Sequence, residues 1–470
     1  MLQDQDWRRT GSVFRRKPLK YQRLPPAAMT SRPLIQAQPP LQFVPPALNP
    51  WLVALLPMAL PLWLRWQTPL AAIRTEQVER LVDLYRDFQA GKVRFLLAFR
   101  HPSTYDPFAM GYLLSQAVPR VARERGVALK EPIHAFFLYD RGIPLWAGRA
   151  VGWLLPRLGG TSIQRGKLDR LGLRSARELF VNGPLPLMAA PEGGTNGHSE
   201  IVSPLEPGIA QLGFWCAEDL AAAGRSEAVF IVPVGIQYSY LQPPWQALDR
   251  LLAELERDTG LASMSGLDRY ERLLRVGDRI LGQVENFYSR FYQRKLEVQP
   301  DFAARLTALL EAALQVAEQF FDLPGKGSLI DRCRRIEQAG WERIFRDELG
   351  NLSPTERGLA NLIAEETDLR MWHMRLVESF VAVTGSYVRS KPTADRFAET
   401  ALIAQRTVRR LKGEDPLQVP SLGQQQVRVS VGEPLSVSER FAAYKSNRQG
   451  AKQAVATLTS DLQAALEGLI

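Results

Sequence analysis

The chain has 470 residues, 46% of them hydrophobic and 23% charged, a globular composition with room for about two or three domains. Its net charge of +10 invites an anionic partner, yet residues 1–50 alone hold eight Lys or Arg against Asp4 and Asp6. More than half the excess therefore sits in one Pro-rich stretch, and no nucleic-acid module follows it. That argues against nucleic acid and leaves a membrane surface or an acidic protein.

Residues 1–50 read as a basic, Pro-rich disordered tail. The two cysteines, Cys216 and Cys333, form no CxxC and favour a reducing compartment. The paired arginines of "WRRTGSVFRR" are followed by no apolar signal-peptide core, so export is not expected. Residues 51–68 follow as "WLVALLPMALPLWLRWQT". A bilayer span needs about 20 apolar residues, and Pro57 and Pro61 are expected to break the helix further. With Trp51, Trp63 and Trp66 at its margins, the stretch reads as an interfacial membrane segment, with a buried core segment as the alternative.

From about residue 70 to 244 short apolar runs alternate with amphipathic helical patterns. "TEQVERLVDLYRDFQAG" is a predicted helix, "VRFLLAF" a strand, and Asp106-Pro107 a helix start with Asp106 as its cap. "LKEPIHAFFLYD" and "GGTSIQRG" predict strands, "KLDRLGLRSARELFVNG" a helix, and "PLPLMAAPEGG" a strand entering a turn. "PGIAQLGFWCAEDLAAAG" predicts a helix and "AVFIVPVGIQY" a strand. Such alternation predicts an α/β domain with a mostly parallel sheet flanked by helices. Residues 245–420 are charged, 3.6-periodic and nearly strand-free: a large all-helical insertion. Residues 425–470 then bring a strand, "VRVSVGEP", and a closing amphipathic helix.

In an open α/β sheet, functional groups gather in the loops after the strands' carboxyl ends. Four such loops carry polar or glycine clusters: "RHPSTYD", "GGTSIQRGK", "PEGGTNGHSE" and "VPVGIQYSY". His101 and Asp106, Gly160 and Arg165, Pro191-Glu192-Gly193, and Pro233 stand in that order. On these residues the sequence resembles the glycerophospholipid acyltransferase family, over residues 70 to about 240. The resemblance implies an O-acyltransferase in which His101 is the general base and Asp106 orients it. It also implies substrate contacts at Gly160, Arg165, Glu192, Gly193, Gly194, Thr195, Asn196 and Pro233, no metal and no bound cofactor. Acyl-CoA or acyl carrier protein would be the donor, and the enzyme would work on the cytoplasmic face of a membrane.

The residue types suit that chemistry. A histidine with pKa near 6.5 can take a hydroxyl proton, a carboxylate on its other nitrogen fixes the tautomer, and a guanidinium grips phosphate. In the family the third loop usually continues Thr-Arg-Ser, whereas this chain has Gly194-Thr195-Asn196 and no arginine. The expected acceptor is therefore 1-acylglycerol-3-phosphate first, giving phosphatidic acid, with a lysophospholipid or lysoglycolipid as the alternative. A non-catalytic lipid- or partner-binding member and a thioesterase or lipase are the remaining readings. No GxSxG elbow occurs, against the serine-hydrolase reading. Of the other histidines, His134 and His373 read as packing residues and His198 as a possible pocket residue.

Overall fold

Strand-forming apolar runs bounded by glycine and proline, and helices with matching periodicity, build one mixed sheet covered on both faces. The computed structural model describes residues 35–164, 169–263, 266–296, 299, 301–380 and 385–470. In chain order come α1 (Pro50–Gln67), β1 (Leu70–Glu76), α2 (Glu79–Gln89), β2 (Val93–Phe99), α3 (Asp106–Tyr112) and α4 (Val118–Glu124). Next are β3 (Phe136–Asp140), α5 (Ile143–Ala147), α6 (Arg149–Arg157), β4 (Gly160–Ile163), α7 (Arg170–Asn182), β5 (Leu187–Ala189), α8 (Gly208–Ala222) and β6 (Ala228–Tyr240). The chain then leaves the sheet through α9 (Trp245–Asp258), α10 (Arg269–Phe291), α11 (Phe302–Phe321), α12 (Leu329–Ile344), α13 (Pro354–Glu378), α14 (Tyr387–Ser390) and α15 (Ala394–Leu411). It returns in β7 (Gln425–Val431) and β8 (Leu435–Ser436), and ends in α16 (Phe441–Ser446) and α17 (Arg448–Glu467).

The strand order is β1-β7-β6-β2-β5-β3-β4, with β8 beside β6. From β6 to β4 every pairing is parallel, whereas β7 is antiparallel to β6 and parallel to β1. The mostly parallel sheet, and the helical block ahead of the last strands, are as expected. Val427–Val431 lie inside the sheet, between β1 and β6.

Alternation along β2 divides the core. Phe95, Leu97 and Phe99 face α2 and α4, with Tyr85 and Phe88 edge-on to Phe95 at 5.2 and 5.7 Å. Leu96 and Ala98 face Phe180, Phe214 and Leu458 of α7, α8 and α17. A strand buried on both faces reads as a continuous apolar run, which is why "VRFLLAF" carries no alternation. The helical block has its own core, where Leu252, Val276, Leu309, Ile336, Met374 and Ala401 meet. It is fastened to the sheet at Tyr240, whose N–H donates to Asp395 Oδ1 at 2.7 Å.

Three expectations need correction. Residues 35–49 are no tail: Ala37 is buried, its N–H donates to Asn361 Oδ1 at 3.1 Å, and Val44 N–H donates to Ser162 Oγ at 3.0 Å. An extended Pro-rich strap has free backbone donors, and these find partners on α13 and β4; residues 1–34 lie outside the described residues. The prolines do not break α1, which runs unbroken from its Asn49 cap. Pro61 leaves the Pro57 carbonyl without its usual helical donor, and the Gln116 side chain donates to it instead. Thr75 and Glu76 end β1 rather than opening a helix, because parallel pairing with β7 claims them.

The return of the chain generates a prediction. Val427, Val429, Val431, Leu458, Leu462 and Leu466 are all fully buried, each worth about 1.5–3 kcal/mol. Together that is on the order of 10 kcal/mol, comparable with the whole stability of a domain. A chain ending at residue 424 should lose its cooperative unfolding transition by circular dichroism and become protease-sensitive in the sheet as well as the block.

Candidate functional site

The loop after β2 and the loop after β5 meet at the carboxyl edge of the parallel strands. His101 leaves β2 in a turn, and its Nδ1 lies 2.9 Å from Asp106 Oδ2. Asp106 is wholly buried and is the first residue of α3 rather than its cap. Its carboxylate reaches back, accepting also from Ser103 N–H at 2.9 Å and from the Tyr238 hydroxyl at 2.6 Å. The capping role expected for Asp106 is thus replaced by orientation of the histidine. Burial raises the Asp106 carboxyl above its ordinary range, opposed by the bonds from His101, Tyr238 and Ser103. Burial, and then the charge of Asp106, push the Tyr238 phenol up as well, so it remains a proton donor.

A carboxylate on Nδ1 takes the ring's N–H there and leaves the Nε2 lone pair free. Nε2 faces the exposed Thr195, whose Oγ1 is 3.2 Å away. None of the other histidines pairs with a carboxylate among the described residues. His134 Nε2 is held by the Leu158 carbonyl at 2.8 Å, and His373 lies between the hydroxyls of Tyr288 and Tyr292. His198 is buried, edge-on to Tyr387 at 4.8 Å, and burial lowers its pKa to about 4.

Glu192 holds the two loops together from inside. Its carboxylate is fully buried and accepts from His101 N–H at 2.8 Å, Ser203 N–H at 2.9 Å and Asn196 Nδ2 at 3.1 Å. Arg100 Nε stands 3.6 Å from it, and Arg100 also donates to the carbonyls of Ser199, His198 and Ile201. Glu192 therefore positions the histidine backbone and has no face left for a substrate. Asn196 is likewise engaged: Nδ2 also donates to the Ile201 carbonyl and Ser203 Oγ, and Oδ1 accepts from His198 N–H. Gly193 sits at φ +67°, and a side chain there would collide with Glu206, so the turn requires glycine. Gly194 lies in the same turn.

Two expected site residues are packed within strands. Gly160 opens β4, at the opposite end from the catalytic edge, where a Cβ would meet the Phe137 ring and the Leu155 carbonyl at 2.7 and 2.8 Å. Pro233 is buried inside β6; its carbonyl accepts from Gly432 N–H, and its missing N–H falls in the gap between the β8 and β7 pairings. Both are packing residues. Arg165 lies outside the described residues; of the residues that flank it, Gln164 donates its N–H to Asp169 Oδ2 at 2.8 Å, and Asp169 also pairs with the buried Arg141.

Sequence reasoning missed Tyr238, Arg100 and the groups from the helical block. Tyr238 stood in the fourth loop cluster and Arg100 beside His101, but neither spacing nor period marks their roles. Nothing in the sequence links residue 399 to residue 199, yet Glu399 Oε1 accepts from Ser199 N–H at 2.9 Å and Oε2 from the Tyr387 hydroxyl at 2.6 Å. Arg334 of α12 similarly donates to the Gly193 carbonyl and pairs with Glu206.

The comparisons with family models, with curated proteins and with solved structures give no match.

Glu399 is only partly covered by area, but both carboxylate oxygens point inward, and burial raises its pKa to about 7. The unfolded value is near 4.5, so the folded state binds the extra proton between about pH 4.5 and 7. Stability from this group is therefore present at low pH and lost as pH rises through that window. Glu399→Gln removes the charge and should gain up to about 3 kcal/mol over the parent at pH 8 and little near pH 4.5. Urea midpoints at the two pH values measure this; a gain independent of pH would disprove the assignment.

Proposed function

We propose that the protein is an O-acyltransferase of the glycerophospholipid type, moving a fatty acyl group from an acyl thioester to a glycerolipid hydroxyl at a membrane surface. The observation that carries this reading is the His101 ring, held by Asp106 on Nδ1 and presenting Nε2 to a hydroxyl at an exposed position. That hydroxyl, of Thr195, marks where an acceptor's hydroxyl would stand once the exposed side chain turns aside. His101 Nε2 takes the acceptor's proton while the acceptor oxygen attacks the thioester carbonyl. The tetrahedral intermediate collapses with cleavage of the C–S bond, and the leaving thiolate takes the proton back from His101. Asp106 stays ionised throughout and stabilises the imidazolium. The donor is acyl-CoA or acyl carrier protein, and 1-acylglycerol-3-phosphate ranks first among acceptors.

A membrane surface suits the outer face of α1. Trp51, Leu55, Met58, Leu62 and Trp66 recur at helical spacing and are exposed, Trp51 and Trp66 by 82% and 76%. Val53, Leu60 and Leu64 face inward, and the Trp63 ring meets Phe108 of α3 at 4.1 Å, tilted by 31°, close to the catalytic turn. Ala47 and Asn49 N–H groups bond the end of α6, the helix that carries the exposed Trp153, beside the start of α1. Among the described residues no helix is long and apolar enough to cross a membrane, so this face would lie in the headgroup region. Replacing Trp51 and Trp66 together by Gln should cut co-sedimentation with anionic lipid vesicles at least about fivefold without changing the melting temperature.

The Thr195 contact also favours a second reading, in which Thr195 is itself acylated and the acyl-enzyme is then resolved by the acceptor or by water. One pair of variants separates the two routes. His101→Ala should lower thioester-dependent acyl transfer at least about a hundredfold by either route. Thr195→Val should leave turnover within about fivefold under direct transfer, and abolish it if Thr195 carries the acyl group. Activity of His101→Ala near that of the parent would remove the acyltransferase reading altogether.

A further inference from the structure

The helical block contains a narrow cavity of about 110 Å³ with an almost wholly apolar wall. Gly277 and Ile280 of α10, Leu306 and Leu309 of α11, and Ile403 and Ala404 of α15 line it. His198, from the loop that carries Thr195 and Glu192, joins the same wall. A methylene chain needs only dry, narrow space, and an apolar lining of this kind suits one.

Arg406 of α15 lies beside the cavity wall and has no hydrogen-bond or ion-pair partner among the described residues. Its Nε is buried and unsatisfied, and burial lowers its pKa. The residue is half-buried, so its guanidinium is partly desolvated with no counter-ion to compensate it, which is costly. Its position suggests what would. A side chain built at Gly197 would start 3.3 Å from Arg406 Nη1 and 3.8 Å from Ile403. Gly197 is two residues from Thr195, which touches His101 Nε2. Tyr105, in the His101 turn, also senses the Arg406 charge. An open cation and an apolar cavity thus meet at one glycine of the catalytic loop.

We propose that the helical block is half of the lipid site: the cavity takes the fatty chain of the acceptor, and Arg406 takes the phosphate at its head. This rests on the acyltransferase reading for the purpose of the site, but the binding itself can be measured without turnover. The block then completes the site across more than 150 residues of intervening chain, and supplies the cation that the loop sequence Gly194-Thr195-Asn196 lacks.

The test uses the full-length protein with a fluorescent polyene fatty acid as probe, displaced by lysophosphatidic acid, by monoacylglycerol of equal chain length, or by acyl-CoA. The parent should bind the probe and yield it to both glycerolipids, more tightly to the phosphate-bearing one. Gly277→Leu and Ala404→Phe fill the cavity from α10 and from α15; a Cβ at Gly277 meets Phe302 at an ordinary 3.5 Å, so folding should survive. Both should weaken the probe and both glycerolipids at least about tenfold, with the melting transition as control. Arg406→Gln should weaken lysophosphatidic acid about tenfold and leave monoacylglycerol unchanged, with Arg406→Lys in between. Unaltered probe binding in both filled variants would overturn the chain assignment. Equal loss for both glycerolipids, or for neither, in Arg406→Gln would overturn the phosphate assignment. Displacement by acyl-CoA alone would give the site to the donor and refute the acceptor. Binding as expected with no transferase activity would sink the enzymatic reading while the lipid site stands.

Discussion

The site depends on one buried carboxylate. Glu192 leaves the loop after β5, carries no exposed surface, and accepts the backbone N–H of His101 from the loop after β2. Those strands are hydrogen-bonded neighbours, so their outgoing loops emerge side by side, but adjacency alone does not fix a register between loops. A buried carboxylate tolerates its surroundings only when its lone pairs are filled. The donors of His101, Ser203 and Asn196 fill them, and the Arg100 guanidinium 3.6 Å away supplies the opposite charge. Satisfying Glu192 therefore sets where the histidine backbone stands, and the Asp106–Tyr238 pair then sets the ring.

The helical block is tied into that arrangement rather than appended to it. Glu399 and Arg334 bond backbone groups of the third loop, and Arg396 and Lys391 pair with Glu200 in the same loop. These contacts come from α12 and α15 and the turn before α15, well separated in sequence. Their effect is to hold one short, glycine-rich loop from behind while its other face meets His101. A loop held on both sides loses little further freedom when a ligand arrives, which is the usual advantage of preorganisation.

Several particulars explain why part of the fold was legible. "VRFLLAF" and "AVFIVPVGIQY" are apolar runs of strand length, and glycines or prolines bracket the neighbouring helices, so alternation and hence a parallel sheet follow from local pattern. The helical block was equally clear from its period. α1 was misread because proline rules describe an isolated helix, while Gln116, from another element, supplies the donor for the carbonyl that Pro61 leaves open. Gly160 and Pro233 match positions in an ordered set of blocks, but they are packed inside a strand or at its opposite end.

What the sequence by itself determined is therefore local: where strands and helices fall, that a histidine and an aspartate share one turn after a strand, and that a helical block separates the last strand from the rest. Periodicity, turn residues and short spacings are encoded within about a dozen residues, so they can be read without coordinates. Only the tertiary structure decided that Glu192 is a buried clamp, that Asn196 has no donor to spare, and that Arg406 arrives unpartnered beside Gly197. Each of these follows from burial and from which groups remain unsatisfied once distant segments converge. Desolvation belongs to a place in the fold and not to a residue type, so no reading of the chain alone could assign it.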